Sequence, residues 1–151
     1  MKKLISIFLC LLVLTGCAVS MTTSKPAQKV VKYNYFGYNL ELPEDFKLTK
    51  VKEDRQMVLF YNEDGRSLAM SVIKATSHDP LEDLKGTLVE PKVIKSESNT
   101  YIVKGSVRNS SEIGVSMSRI YGDEVVFLAA MSHKDNLDSM YSIIETVHPV
   151  K

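Results

Sequence analysis

The sequence predicts an α+β domain: an antiparallel β-sheet with a short middle helix and a C-terminal helix packed on it. Three observations carry this expectation. Apolar residues alternate with polar ones in several short runs between residues 36 and 132, the period of a strand with one buried face. The period changes to helical spacing twice, in "SHDPLEDLKGTL" and in "SHKDNLDSMYSIIETVHPVK". Strands and helices are not interleaved as parallel βαβ units require, so the sheet is expected to be antiparallel.

The opening strand is read in "YFGYNLELP", where Phe36, Tyr38, Leu40 and Leu42 alternate with Gly37, Asn39 and Glu41 and Pro43 ends the run. "EDFKLTKVKEDR" follows as a polar connection or a short exposed strand. "QMVLFY" is apolar on both faces, as an interior strand would be, and "NEDG" turns it into "RSLAMSVIK", which alternates through Leu68, Met70 and Val72. Asp79 is placed to cap a helix, Pro80 suits its first position, and Leu81, Leu84 and Leu88 share a face. Gly86 weakens that helix and Pro91 punctuates its exit, so it should be short.

Three strands come next. "NTYIVKGSV" sets Tyr101, Val103 and Val107 on one face. "IGVSMSRIY" sets Ile113, Val115, Met117 and Tyr121 on one face, with Gly114, Ser116 and Ser118 opposite. "EVVFLAAMS" is apolar throughout, hence expected to be central and covered on both sides, and Gly122-Asp123 makes a two-residue hairpin loop. In the last segment Ser132 and Asp135 resemble a capping box, Leu137, Met140, Tyr141, Ile144 and Val147 form one stripe, and Pro149 stops the helix.

Composition narrows the function. The chain has 151 residues, one domain's worth, with 19 basic and 18 acidic side chains. Without Lys2 and Lys3 the balance is 17 to 18, so no field draws the chain to nucleic acid or to an anionic surface. Both cysteines, Cys10 and Cys17, fall in the first 17 residues. The domain therefore has no disulfide, thiolate metal site or cysteine nucleophile.

At the N-terminus Lys2-Lys3 precede an apolar run, Leu4 to Leu14, too short to span a bilayer but suited to a secretory signal. Leu14-Thr15-Gly16-Cys17 then resembles the lipobox of bacterial lipoproteins. That resemblance implies signal-peptidase recognition through Leu14, Thr15 and Gly16, thioether lipidation at Cys17, and cleavage before it. Residues 1–16 are thus read as the lipoprotein signal peptide. Residues 17–32, "CAVSMTTSKPAQKVVK", are read as a flexible tether with a reach of roughly 20–25 Å, and 33–151 as the single domain. Several acyl chains hold a protein firmly at a membrane, whereas one binds marginally. Ala18 after the cysteine, where an aspartate would signal retention, favours the outer membrane facing the periplasm in a diderm host.

The element order and the opening "YNLELPEDF" resemble the PsbP-like fold, whose relatives include bacterial DcrB-like lipoproteins, photosystem II extrinsic subunits and a eukaryotic Ran-binding protein. Phe46 stands where tryptophan is common in that pattern. The resemblance implies a non-catalytic module that contacts proteins; it carries no site residue across.

Catalytic and metal constellations are weak. Ser77, His78 and Asp79 are adjacent and point apart, as triad members do not. His78, His133 and His148 lack metal-ligand spacing, and "NEDG" lacks the further oxygen ligands of a calcium loop. Met70, Met117, Met131 and Met140 occur singly on apolar faces, as core filler does. Lys47, Lys50, Lys52 and Arg55 read as solvated edge protection. The expected function is accordingly a lipid-anchored, non-enzymatic envelope accessory protein that binds another envelope protein and needs no cofactor and no metal. Two alternatives remain open: a small-ligand binder with a pocket near Tyr101, Tyr121 and Tyr141, and a mobile-element lipoprotein that modifies a surface receptor.

Overall fold

A computed structural model describes residues 29–75 and 79–151. The alternating runs become ten strands in two antiparallel sheets. The large sheet holds seven strands in the order β3-β4-β5-β9-β8-β7-β6. Its members are β3 (Lys47–Lys52), β4 (Met57–Tyr61), β5 (Arg66–Lys74), β6 (Leu88–Glu97), β7 (Thr100–Val107), β8 (Ile113–Tyr121) and β9 (Glu124–Ser132). The small sheet is β1-β2-β10, formed by β1 (Val30–Tyr35), β2 (Tyr38–Pro43) and β10 (His148–Pro149). Helix α1 spans Pro80–Thr87 and helix α2 spans Ile143–Thr146.

The local chemistry is legible at several joints. Asp79 accepts a hydrogen bond from Leu81 N at 2.9 Å and Pro80 occupies the first turn, so α1 starts where its cap requires. Tyr121 pairs with Glu124 across Gly122-Asp123, and Gly122 takes φ +61, a conformation costly to residues with a Cβ. Asn62 and Gly65 close the β4–β5 turn, with Gly65 N donating to Asn62 O at 3.1 Å.

Side-chain parity assigns the sheet two unlike faces. On one, Val58, Phe60, Leu68, Met70, Met117 and Leu128 are fully buried against Tyr38, Leu40 and Leu42 of β2 and against the C-terminal segment. Tyr33 packs edge-on to Phe60 at 4.9 Å between ring centroids, closing this core from the β1 side. On the other face α1 lies over β6, β7 and β8. Leu84 and Leu88 bury there with Val103 and Val125, and Thr87 Oγ1 lies 2.8 Å from Ser116 Oγ. Small residues permit this approach: a Cβ on Gly114 would sit 2.7 Å from Leu88 Cδ2.

The structure departs from the sequence reading in four places. The expected C-terminal helix is broken: Asp138–Met140 form a 3₁₀ turn and α2 is a single turn of four residues. Its stripe is still buried, since Leu137, Met140, Ile144 and Val147 are each at most 1% exposed. β-Branched and Ser/Asp residues hold a helix poorly, and their side chains compete for the backbone. Ser142 and Thr146 hydroxyls donate to Ser139 O and Ile143 O. The expected capping box is a local turn instead, in which Ser132 Oγ accepts from Lys134 N.

Second, "LVEPKVIKSE" is the ten-residue edge strand β6, with Pro91 at one register shift and a second shift between Val93 and Lys95. Third, β1 takes in Val30, Val31 and Lys32, three residues read as the end of the tether. Fourth, Phe36 and Gly37 form the β1–β2 turn, with φ of 53° and 83°, so the opening strand of the sequence reading starts at Tyr38.

Candidate functional site

The residues expected to carry the anchor, Leu14, Thr15, Gly16 and Cys17, lie outside the described residues, as do Ser77 and His78. Among the described residues no helix is long and apolar enough to cross a membrane, and no cluster of three or more His, Cys, Asp or Glu side chains is arranged to hold a metal. His133 reaches only Glu112, at 3.8 Å, and His148 Nδ1 lies 2.6 Å from Thr146 O. Met70, Met117 and Met140 are core residues.

Four polar groupings remain, and each is spent on holding elements together. The Arg66 guanidinium lies 3.1 Å from Asp45 Oδ2 and 3.4 Å from Asp64 Oδ2, donates to Ser139 Oγ, and sits 5.4 Å over the Phe46 ring. Asn62 donates to the same Asp45 oxygen at 2.7 Å while its carbonyl oxygen receives Arg66 N. This partly buried network pins the β4–β5 turn to the segment after β2. Arg66 Nε, Ser118 Oγ and Asn136 Oδ1 are buried without a hydrogen-bond partner.

Lys104 Nζ bridges Asp135 at 2.5 Å and Asp138 at 3.0 Å, tying β7 to the C-terminal segment. The paired carboxylates raise the Lys104 ammonium's pKa, the Asp135 hydrogen bond being the largest cause. The Lys104 hydrogen bond in turn holds the Asp138 carboxyl below its ordinary value. Arg119 donates to Ile144 O and Glu145 O at the end of α2, and pairs with the Glu145 carboxylate at 3.2 Å. Lys95 of the edge strand reaches the same carboxylate at 2.5 Å. Tyr38 donates to Glu124 at 2.7 Å, and Tyr121 donates to Val147 O. Burial first, then the Glu124 hydrogen bond, raises the Tyr38 pKa.

These are structural clamps, and one of them borders a void: Asp45 and Asp64, the partners of Arg66, share an open depression. A shallow groove of about 100 Å³ lies between the end of β5 and the start of α1, lined by Ile73, Pro80, Asp83, Ile120, Val125 and Phe127. It is well below the few hundred Å³ of a small-molecule site. That second depression, open to solvent and about 310 Å³, lies among Glu44, Asp45, Lys47, Glu63 and Asp64; it reaches the size of a small-molecule site but is lined by four carboxylates and one lysine instead of an apolar wall. Neither is lined by Tyr101, Tyr121 or Tyr141; Tyr121 and Tyr141 pack against the core instead.

Two solved structures share this arrangement. Cyanobacterial PsbP from Synechocystis sp. PCC 6803 matches with a TM-score of 0.55 and 12% identity, over 84% of this chain and 96% of that one. The fold is PsbP-like. A protein from Bacteroides thetaiotaomicron VPI-5482 matches with a TM-score of 0.57 and 14% identity, over 76% of this chain. The match spans about half, 46%, of the Bacteroides chain. No family model and no curated protein matches the sequence. At these identities the likeness establishes the PsbP-like fold and carries no residue's role.

The feature of the PsbP-like domain that sequence reasoning missed is a surface. β4 and β9 are apolar on both faces, and β9 was expected to be covered on both. Val126, Leu128 and Ala130 are indeed buried in the core, but on the other face only Val125 is, while Phe127, Ala129 and Met131 are half-exposed. In β4, Val58 and Phe60 are buried while Met57 and Leu59 are half-exposed and Tyr61 is 50% exposed. The doubly apolar pattern was the available signal; what it left open was whether this chain supplies the second cover.

Proposed function

We propose that this protein is a lipid-anchored accessory module of the bacterial cell envelope, which acts by binding another envelope protein and not by catalysis. The observation that carries the reading is Leu14-Thr15-Gly16-Cys17 at the end of an eleven-residue apolar run. Small residues at Thr15 and Gly16 let the backbone enter a protease site, and the Cys17 thiol is the nucleophile that takes the lipid. Diacylglyceryl and acyl chains on Cys17 hold the domain at the bilayer, and the residues up to Lys29 space it from the surface. In a diderm host Ala18 favours the outer membrane, with the domain in the periplasm; in a monoderm host the same anchor holds the domain outside the plasma membrane.

The binding half of the reading is supported by a filled core, by polar side chains committed to structural clamps, and by a half-bare apolar sheet face. A PsbP-like fold shared at 12% identity fits a scaffold whose role is set by each chain's own surface. Metabolic labelling with palmitate tests the anchor. Wild type is expected to incorporate label and Cys17→Ala to lose it; equal labelling of both would refute the anchor.

A further inference from the structure

The uncovered face of the large sheet has the shape and charge of a helix-binding trough. Four strands, β3-β4-β5-β9, lie beside the part that α1 covers, a width of roughly 14 Å at about 4.8 Å per strand. A helix is about 10 Å across and neighbouring helices pack 8–10 Å apart, or about two strand spacings. A helix beside α1 would therefore rest over β9 and β5. There the middle of the face is small, Ala69 and Ser71 of β5 with Ala129 of β9 opposite Ala69, and larger apolar side chains flank it on the same strands: Phe127 opposite Ser71, Met131 opposite Ser67, and Ile73 at one end. Leu59 and Tyr61 stand on the β3 side. β5 has nine residues, roughly 30 Å of strand, which matches about five helical turns.

The rims differ in charge. Lys50 and Lys52 of edge strand β3 pair with Leu59 and Met57, so both stand on this face, along one side of the trough, while the Lys47 ammonium donates to Glu44 O at 2.9 Å. On the other side Asp83 of α1 and Lys74 of β5 both line the groove next to Phe127. Only the β3 side is uniformly basic, so carboxylates are favoured along that flank alone.

We propose that this face docks an amphipathic helix of a partner protein, its apolar stripe on Ala69, Ala129 and Phe127, its carboxylates along the flank that faces Lys50 and Lys52. The proposal rests on the reading of the domain as a binding module and names that module's surface. It completes a layer that α1 only begins, and it accounts for β4 and β9 being apolar on the side this chain leaves uncovered.

Two labelled peptides of about 18 residues test it, each with leucines at helical i, i+3, i+4, i+7 spacing, one flanked by glutamates and the other by lysines. Fluorescence anisotropy against full-length Cys17→Ser protein is expected to show the glutamate peptide binding about tenfold tighter at low salt. The gap should close near about 0.5 M salt. Lys50→Glu/Lys52→Glu should reverse the preference, a gain that misfolding cannot imitate, and Tyr61→Glu should weaken both peptides. Absence of binding by either peptide, equal binding, or a preference unmoved by the double charge reversal would overturn the proposal. So would lysine-dependent sedimentation of the same protein with vesicles containing anionic lipid, or a dimer dissolved by the double reversal; these point to a lipid surface or a second copy. Any of these failures leaves the anchored binding module intact. That reading fails separately, if crosslinking of the anchored chain from several other surface positions yields no envelope protein.

Discussion

The two faces of the seven-stranded sheet are made from similar residues and finished differently. One is closed by the small β1-β2-β10 sheet and by the C-terminal segment, and its Val58, Phe60, Met70, Met117 and Leu128 are at most 1% exposed. The other is closed by α1 over β6, β7 and β8 only, and Met57, Leu59, Phe127 and Met131 remain half-exposed. Burial of apolar area is the main stabilising term in folding, so the closed face should carry stability. The half-open face leaves apolar area uncovered.

Truncation breaks this comparison most directly. Leu40→Ala and Phe46→Ala remove fully buried side chains and are expected to cost about 2–5 kcal/mol each by urea unfolding. Leu59→Ala on the half-open face should cost about 1 kcal/mol or less. Comparable losses on the two faces would contradict the asymmetry. A smaller effect separates the two glycines under α1. A Cβ on Gly105 meets the Val89 carbonyl oxygen at 2.7 Å, a backbone atom at a bulge, whereas on Gly114 it meets the end of a leucine side chain. Gly105→Ala should therefore destabilise by about 1–3 kcal/mol, more than Gly114→Ala, with melting temperatures as the measure. Asp79→Ala removes the α1 cap and should cost about 1 kcal/mol in the same assay.

The smallest effect is a pH dependence. Asp138 is held below its ordinary pKa by Lys104, so the stabilisation from this pair is present above the unfolded carboxylate's pKa, near 4. It is lost as pH falls through the lower folded value. Lys104 is shifted up, so its contribution is complete below the unfolded lysine pKa and fades only as pH rises through the higher folded value. Lys104→Met should thus melt below wild type at neutral pH, with the difference shrinking under acid. A constant difference from pH 7 down to about 2 would exclude the pair as its source.

The sequence made some of this structure readable and hid the rest for identifiable reasons. The β8–β9 hairpin, the α1 start and the alternation in β2 and β5 follow from local rules, and those rules operate in the structure as written. β6 was hidden because Pro91 interrupts it and most of its side chains face solvent, so no period marks it as a strand. "KVVK" reads as linker until its partner β2 is known, since the pairing is what makes β1 a strand. The C-terminal stripe gave Leu137, Met140, Ile144 and Val147 as buried but overstated Tyr141, missed Ile143 and did not give the backbone, because tertiary packing can bury a stripe from a 3₁₀ turn and one α-turn as well as from a helix. The candidate anchor was entirely a sequence finding, at residues outside those described. The candidate docking face was the reverse: apolarity on both sides of β4 and β9 was visible, but which side lacks a cover depends on where α1 lands.

Methionine oxidation is the most direct test of that asymmetry, because the chain places methionines on both faces. Met57 and Met131 lie on the half-open face, while Met70, Met117 and Met140 are buried in the core. Under dilute peroxide with mass-spectrometric readout, Met57 and Met131 should reach sulfoxide well before the three core methionines. Protection of Met57 and Met131 equal to that of Met117 in the free protein would contradict the account, since the face would then already be covered.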